Sequence, residues 1–192
     1  MGIGNLTELS EVDSAGVNFL LAGYCDELGI GSVLTTEVIN WCRSAVAEFD
    51  LARRSIHHAV TRGVPPKHFD SSLVMLRDPK LNELDGEAIQ QLAGNIADKN
   101  FRVLAENGEL HLINGDGHWH GTDPYDIIDQ AITDGQELDA SHAFYLGYEM
   151  CKALTALTLG KQYRQDQALD WGFLTVPEVS AHERRRQQSE EP

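Results

Sequence analysis

The sequence predicts an α/β fold. Residues 1–66 read as the last βα units of a TIM-type (β/α)₈ barrel, residues 67–176 as a small α+β domain, and residues 177–192 as a terminal helix or disordered tail. Three observations predict this. The first forty residues run loop, helix, short apolar strand, loop, which is the period of an α/β barrel. A glycine and a double proline, Gly63-Val64-Pro65-Pro66, then break the chain. Beyond them the pattern changes to a hairpin and amphipathic helices.

In the first region, Gly2 to Glu8 reads as a loop, and Val17, Leu20, Leu21, Tyr24 and Leu28 fall three and four apart, the stripe of a helix that Asp13 or Ser14 caps and Gly29 ends. Ser32 to Glu37 follows as a buried strand with a polar carboxyl end. Such ends line the active site of a barrel, so Asn5, Thr7, Thr35, Thr36 and Glu37 are expected on one rim. A second helix has Ala45, Phe49, Ala52, Ile56 and Ala59 on its apolar side, and Arg43, Glu48, Asp50, Arg53 and Arg54 on its polar side. A complete barrel typically needs about 250 residues, so these units are expected to be a C-terminal piece of one.

The second region opens with a short strand candidate, Leu73-Val74-Met75-Leu76, and a helix over 87–97 with Ile89, Leu92 and Ile96 inward. Residues 101–105 and 110–113 form a hairpin through Asn107-Gly108, a dipeptide that accepts the positive φ angles of a tight turn. Asp123-Pro124 starts a further helix, with proline in its first turn. The longest helix spans 141–159, capped by Ser141 and closed by Gly160, with Ala143, Gly147, Met150, Leu154 and Leu157 as its expected core stripe, widened by Leu146. Leu169, Trp171, Phe173 and Leu174 are expected to pack back.

The composition, 42% hydrophobic and 23% charged, is that of a globular protein. A net charge of −15 argues against nucleic acid and anionic membranes as partners. Arg184-Arg185-Arg186, followed by Ser189-Glu190-Glu191, reads as a solvated terminal helix. Cys25, Cys42 and Cys151 are odd in number and lie in apolar helical settings, so reduced, buried thiols in the cytoplasm are expected. No apolar run approaches the roughly 18 residues of a membrane span.

Gly2-Ile3-Gly4-Asn5-Leu6-Thr7, with Asn18-Phe19-Leu20-Leu21 and Gly29-Ile30-Gly31-Ser32-Val33-Leu34, resembles the last strands of the pterin-binding barrels, a group that includes dihydropteroate synthase and the methyltetrahydrofolate-corrinoid methyltransferases. It is most similar to dihydropteroate synthase-like proteins that carry an extra C-terminal domain and are associated with tetrahydromethanopterin metabolism. The resemblance implies a pterin-binding barrel in folate or methanopterin metabolism, a transferase that joins a pterin diphosphate to an aminobenzoate without a redox cofactor. The asparagine of the methyltransferases' G-x-x-N-x-S/T motif, which bonds the pterin, corresponds to Asn5. Asn5, Thr7, Thr36 and Glu37 are then the expected pterin contacts, since an amide and a carboxylate match the ring's alternating donors and acceptors. The R-x-H that follows the last strand of true synthases is replaced by Thr35-Thr36-Glu37-Val38-Ile39-Asn40, which counts against synthase activity.

A second stretch, His142-Ala143-Phe144-Tyr145-Leu146-Gly147-Tyr148-Glu149 with Lys152-Ala153 and then Tyr163-Arg164-Gln165-Asp166, is similar to the corrinoid-carrying A subunit of the tetrahydromethanopterin methyltransferase. That likeness implies a corrinoid as a second ligand class. His142, Tyr145, Glu149 and Lys152 lie three, four and three apart and share a helix face opposite the expected stripe, a surface for a ligand or a partner, or a solvated face with a Glu149–Lys152 pair. His111, His118 and His120 invite a metal, but His111 alternates with Leu110 and Leu112 as a solvent-facing residue would, and no Cys or carboxylate has a spacing that completes the set. No metal site is therefore expected. The leading expectation is a synthase-like pterin protein that is inactive as this chain alone, its partner the rest of the barrel or a second copy. The alternative is a non-catalytic binding or assembly module.

Overall fold

The computed structural model describes residues 1–179. The basic run at 184–186 and most of the expected terminal helix lie outside the described residues. The chain divides into two compact units, Met1–Met75 with Trp171–Leu174, and Leu76–Asp170 with the residues that follow Leu174.

The first unit is mainly helical. Helices α1 (Gly4–Leu9), α2 (Ser14–Glu27) and α3 (Ala45–Arg62) are joined by irregular chain and one short 3₁₀ turn, Asn40–Cys42. Residues 4–9, read as loop, are thus helical. Of the expected strand at 32–37 a single parallel bridge remains, Gly2 to Leu34, in which Ile3 N–H donates to Leu34 O at 2.8 Å and Leu34 N–H to Met1 O at 2.8 Å. The bridge pairs one residue on each side, too few to bury the segment, and Leu34 is exposed.

α2 and α3 pack on each other; α3 buries Ala45, Ala52 and Ala59 of its expected stripe, but α2 keeps only Leu21 of its own. The buried side of α2 is Ser14, Ala15, Asn18, Leu21, Ala22 and Cys25, while Leu20, Tyr24 and Leu28 face outward. The reason is Glu48, assigned to the polar side of α3 yet only 2% exposed. Its carboxylate accepts from Ser14 Oγ, Asn18 Nδ2 and Ser44 Oγ, each at 2.7 Å. A carboxylate can be withdrawn from water only when donors replace the solvent, and these three turn the polar positions of α2 towards α3.

In the second unit α4 (Gly86–Asn95) starts at Asp85, which accepts from Ala88 N–H at 2.8 Å. The expected strand at 73–76 is absent, that segment being turns and bends. Three strands, β1 (Arg102–Glu106), β2 (Glu109–Asn114) and β3 (Gly117–Gly121), form an antiparallel meander in that order. Asn107 and Gly108 have φ of 53° and 78°, the left-handed pair of a two-residue hairpin, as expected. α5 (Pro124–Thr133) begins at Asp123 as read, and α6 (Ala140–Leu159) follows, packed on β1 and β2 while α5 packs on β3.

The sheet's two faces differ in cover. Val103, Leu110, Leu112 and Trp119 share one, and Trp119 Nε1 donates to Asp134 at the end of α5 at 2.7 Å. His111 faces the other way, as alternation requires, but that side also holds buried Ile113 and Glu106, so His111 is 5% exposed rather than solvent-facing.

α6 buries Met150 and Leu146 as expected, but is rotated away from the rest of the expected stripe. Its buried residues are Leu146, Glu149, Met150, Lys152, Ala153 and Ala156; Ala143, Gly147 and Leu154 face outward. It begins at Asp139, whose carboxylate accepts from His142 N–H at 2.7 Å, not at Ser141. Gly160 ends it in the left-handed conformation, as expected. Leu169 is buried, but Phe173 and Leu174 are exposed. Cys25 and Cys42 are buried and Cys151 is exposed, which corrects the expectation of three buried thiols. No helix among the described residues is long and apolar enough to cross a membrane.

Leu146→Ala should therefore cost about 2–5 kcal/mol, as for a truncated core leucine. Leu154→Ala, at a position 37% exposed, should cost under about 1 kcal/mol. Lys152→Ala, which leaves a buried carboxylate uncompensated, should cost about 3–5 kcal/mol. Denaturant melts of the three variants check the order; a Leu154→Ala loss as large as that of Leu146→Ala would contradict this rotation of α6.

Candidate functional site

α6 turns a polar ladder inward. Lys152 Nζ lies 2.9 Å from Glu149 Oε1 and 2.7 Å from Glu178 Oε2, and donates to Gln167 O at 3.1 Å. Burial alone would lower the Lys152 pKa, but the hydrogen bonds to Glu178 and Glu149 outweigh it and the net direction is up. Glu149 Oε2 accepts from Tyr163 O–H at 2.7 Å and from Asp166 N–H at 3.4 Å. Burial, then the Glu149 carboxylate, push the Tyr163 phenol well above its ordinary range.

One turn earlier, Tyr145 O–H donates to Asp166 Oδ1 at 3.2 Å and accepts from Gln165 Nε2 at 2.7 Å. Gln165 also donates to Phe101 O at 3.1 Å and accepts from Val103 N–H at 2.9 Å, so it bolts the segment after α6 onto the start of β1. Burial pushes the Tyr145 pKa up to about 12. The phenol stays protonated and keeps its proton on Asp166.

Between these elements lies a cleft of about 670 Å³, within the range of roughly 300–1,000 Å³ that small-molecule sites occupy. Phe101 and Leu146 line it as apolar surface, Glu137 and Asp166 supply carboxylates, and His142 and Tyr145 supply polar rings. Arg102, also on the wall, is held by Asp98 through two bonds, at 3.0 and 2.9 Å. The cleft thus offers an aromatic face, a carboxylate fixed at Asp166, a second at Glu137 and a pinned cation, a set that suits a flat, polar heterocycle.

Of the face His142, Tyr145, Glu149 and Lys152, the first two line this cleft. Glu149 and Lys152 are buried in the ladder and present no open surface. Of the rim residues, Asn5 is exposed, whereas Thr7 is fully buried with Oγ1 donating to Gly4 O at 3.0 Å. Thr36 Oγ1 donates to Glu8, and Glu37 accepts from Val46 N–H at 3.0 Å in the first turn of α3. A side chain at Gly4 would collide with Thr36 Oγ1, so that glycine lets the two segments meet. Phe101 and Glu137 were missed: a strand aromatic and a loop acid carry no local signal. Gln165 and Asp166 stood in the Tyr163-Arg164-Gln165-Asp166 run, where sequence could have placed them.

A model of the family described as PterinBD-DUF4346 matches residues 66–166, more than half of the chain. The chain belongs to that family. The match supports a pterin-binding domain and a pterin as its small-molecule ligand; it contains every residue of the cleft and none of the rim at 5–37. It lends nothing to a corrinoid. An uncharacterized protein of Methanocaldococcus jannaschii is 28% identical over 182 residues, 86% of this chain and 35% of its own length, so the chain spans about a third of that relative. No solved structure matches the chain.

Because Tyr145 and Tyr163 titrate higher when folded than the usual 10.0, the native state holds their protons after the unfolded chain has released them. Their stabilisation is complete below about pH 10; that of Tyr145 is lost as the pH rises towards about 12, and that of Tyr163 higher still. Lys152, also raised, adds to the loss above its ordinary 10.5. The part of the tyrosinate absorbance that belongs to Tyr145 and Tyr163 should therefore rise only with the loss of far-UV dichroism; ionisation of every tyrosine in a chain that stays folded would contradict the arrangement.

Proposed function

We propose that this member of the PterinBD-DUF4346 family binds a reduced pterin in the cleft between α6 and the start of β1, and serves folate or methanopterin metabolism in the cytoplasm. The observation that carries the reading is that the whole cleft falls inside the matched segment. A pterin presents a ring N–H and an exocyclic amine side by side, which one carboxylate can accept together. Asp166, with one oxygen already fixed by Tyr145, is the proposed acceptor, and Phe101 the stacking face.

A second reading keeps the pterin at Asn5, Thr7, Thr36 and Glu37, as the rim of a dihydropteroate synthase-like TIM barrel. It is favoured by the parallel Gly2–Leu34 bridge, which sets the segments that carry Asn5 and Thr36 side by side. In that reading Leu20, Tyr24 and Leu28, all exposed on α2, meet further βα units or a second copy of the chain. The chain by itself has no dihydropteroate synthase turnover, because barrel catalysis draws on groups from several strands. Turnover above a buffer control would contradict this.

Calorimetric titration of the whole chain with a reduced pterin tests the first reading, with cobalamin as the comparator. Asp166→Asn should weaken pterin binding by about tenfold or more, the scale of one charge-assisted hydrogen bond, and Asn5→Ala should leave it unchanged. The reverse pattern would transfer the site to the rim, and heat from cobalamin alone would overturn both readings.

A further inference from the structure

The register of β2 and β3 sets three imidazoles on one sheet face. His111 stands opposite His120 and Ile113 opposite His118, so with a side-chain period of two the histidines project together, and Glu109, two residues before His111, joins them. The ring centroids lie 5.3, 5.5 and 5.1 Å apart in the three pairs. His111 Nδ1 is 3.0 Å from His118 Nε2, and His120 Nδ1 is 2.8 Å from Glu109 Oε2. Among the described residues, Glu109, His111 and His120 are the group whose ligand atoms all lie within 4.8 Å of one another. From these distances we infer that the face carries a site for a borderline-soft divalent ion such as Zn²⁺, bound by His111, His118, His120 and Glu109.

The donor set and its spacing fit that ion. Zinc takes imidazole nitrogen and carboxylate oxygen at about 2.0–2.2 Å in a tetrahedron, which puts neighbouring ligand atoms about 3.3 Å apart. The two shortest contacts fall a few tenths of an ångström inside that edge, so an ion enters by a small opening of the cluster. The Nε2 of His111 lies 3.4 Å from the Glu106 carbonyl, the outer partner that places its proton there and leaves the Nδ1 lone pair towards the cluster.

Access matches as well. His111 is buried while the His120 and Glu109 side chains are 53% and 42% exposed, which gives the ion an anchored floor and an open side. Sequence reading excluded the site because no carboxylate had a ligand spacing along the chain. Glu109 stands two residues before His111 on the same strand face, a spacing which that reading passed over, and the β2–β3 register brings both to His120.

The test uses the whole chain, stripped with a chelator and titrated with Zn²⁺ by calorimetry and with Co²⁺ by visible absorption. One equivalent should bind, and Co²⁺ should develop the intense visible bands of tetrahedral coordination. His120→Ala and Glu109→Ala remove half-exposed ligands and should each weaken binding by more than the about 10–100-fold that loss of an outer partner costs. His57→Ala, outside the cluster, should bind as the parent does. Melting curves keep the reading sharp: the two ligand variants should melt like the metal-free parent and gain little on adding Zn²⁺, whereas the parent gains. No stoichiometric binding, parent-like affinity in both ligand variants, or an equal loss in His57→Ala would overturn the site.

Discussion

The rotation of α6 in the second unit turns on the buried ammonium of Lys152. Lys152 sits among Glu149, Glu178 and the Gln167 carbonyl with its side chain 10% exposed. An ammonium taken out of water costs several kcal/mol unless partners replace its solvent. Here two carboxylates do so, and Tyr163 and the Asp166 N–H occupy the remaining capacity of Glu149. Glu149 and Lys152 both sit on α6, while Tyr163, Asp166, Gln167 and Glu178 lie after it, so bonding the pair to these outside partners fixes the rotation of that helix. That rotation sends Tyr145 to Asp166 and Gln165 and places His142 at the edge of the cleft. The cleft is a consequence of how the charge is buried.

The first unit solves a similar problem without a cation. Glu48 is surrounded by two hydroxyls and an amide at 2.7 Å, all neutral donors. Ser14 and Asn18 spend their side chains on this carboxylate, and the apolar positions beside them, Leu20 and Tyr24, are left facing outward. In both units a buried carboxylate, rather than the widest apolar stripe, decides which side of a helix goes in.

That shared device explains how much was legible in the sequence. Local backbone chemistry was readable: the Asn107-Gly108 turn, the Asp123-Pro124 start of α5 and the left-handed ends at Gly63 and Gly160 stand where residue type alone puts them. Helix rotation was not. Ala143, Gly147 and Leu154 made a plausible stripe for α6, yet two of the three bury little apolar surface, and the choice fell to a pairing between Lys152 and Glu178, 26 residues away. His111 failed for the same reason. Its alternation was read correctly, but which face of a sheet stays open depends on what covers it. Of the candidate site, His142 and Tyr145 were legible, while Phe101 and Glu137 enter only through tertiary placement.

The central claim, that α6 and the start of β1 hold the pterin, is tested most directly by hydrogen exchange read by mass spectrometry with and without a reduced pterin. The account predicts slowed exchange in peptides covering residues 99–103, 137–146 and 163–167, and no change in residues 1–40. Protection confined to residues 2–8 and 33–38, with the α6 peptides unchanged at saturating ligand, would contradict it.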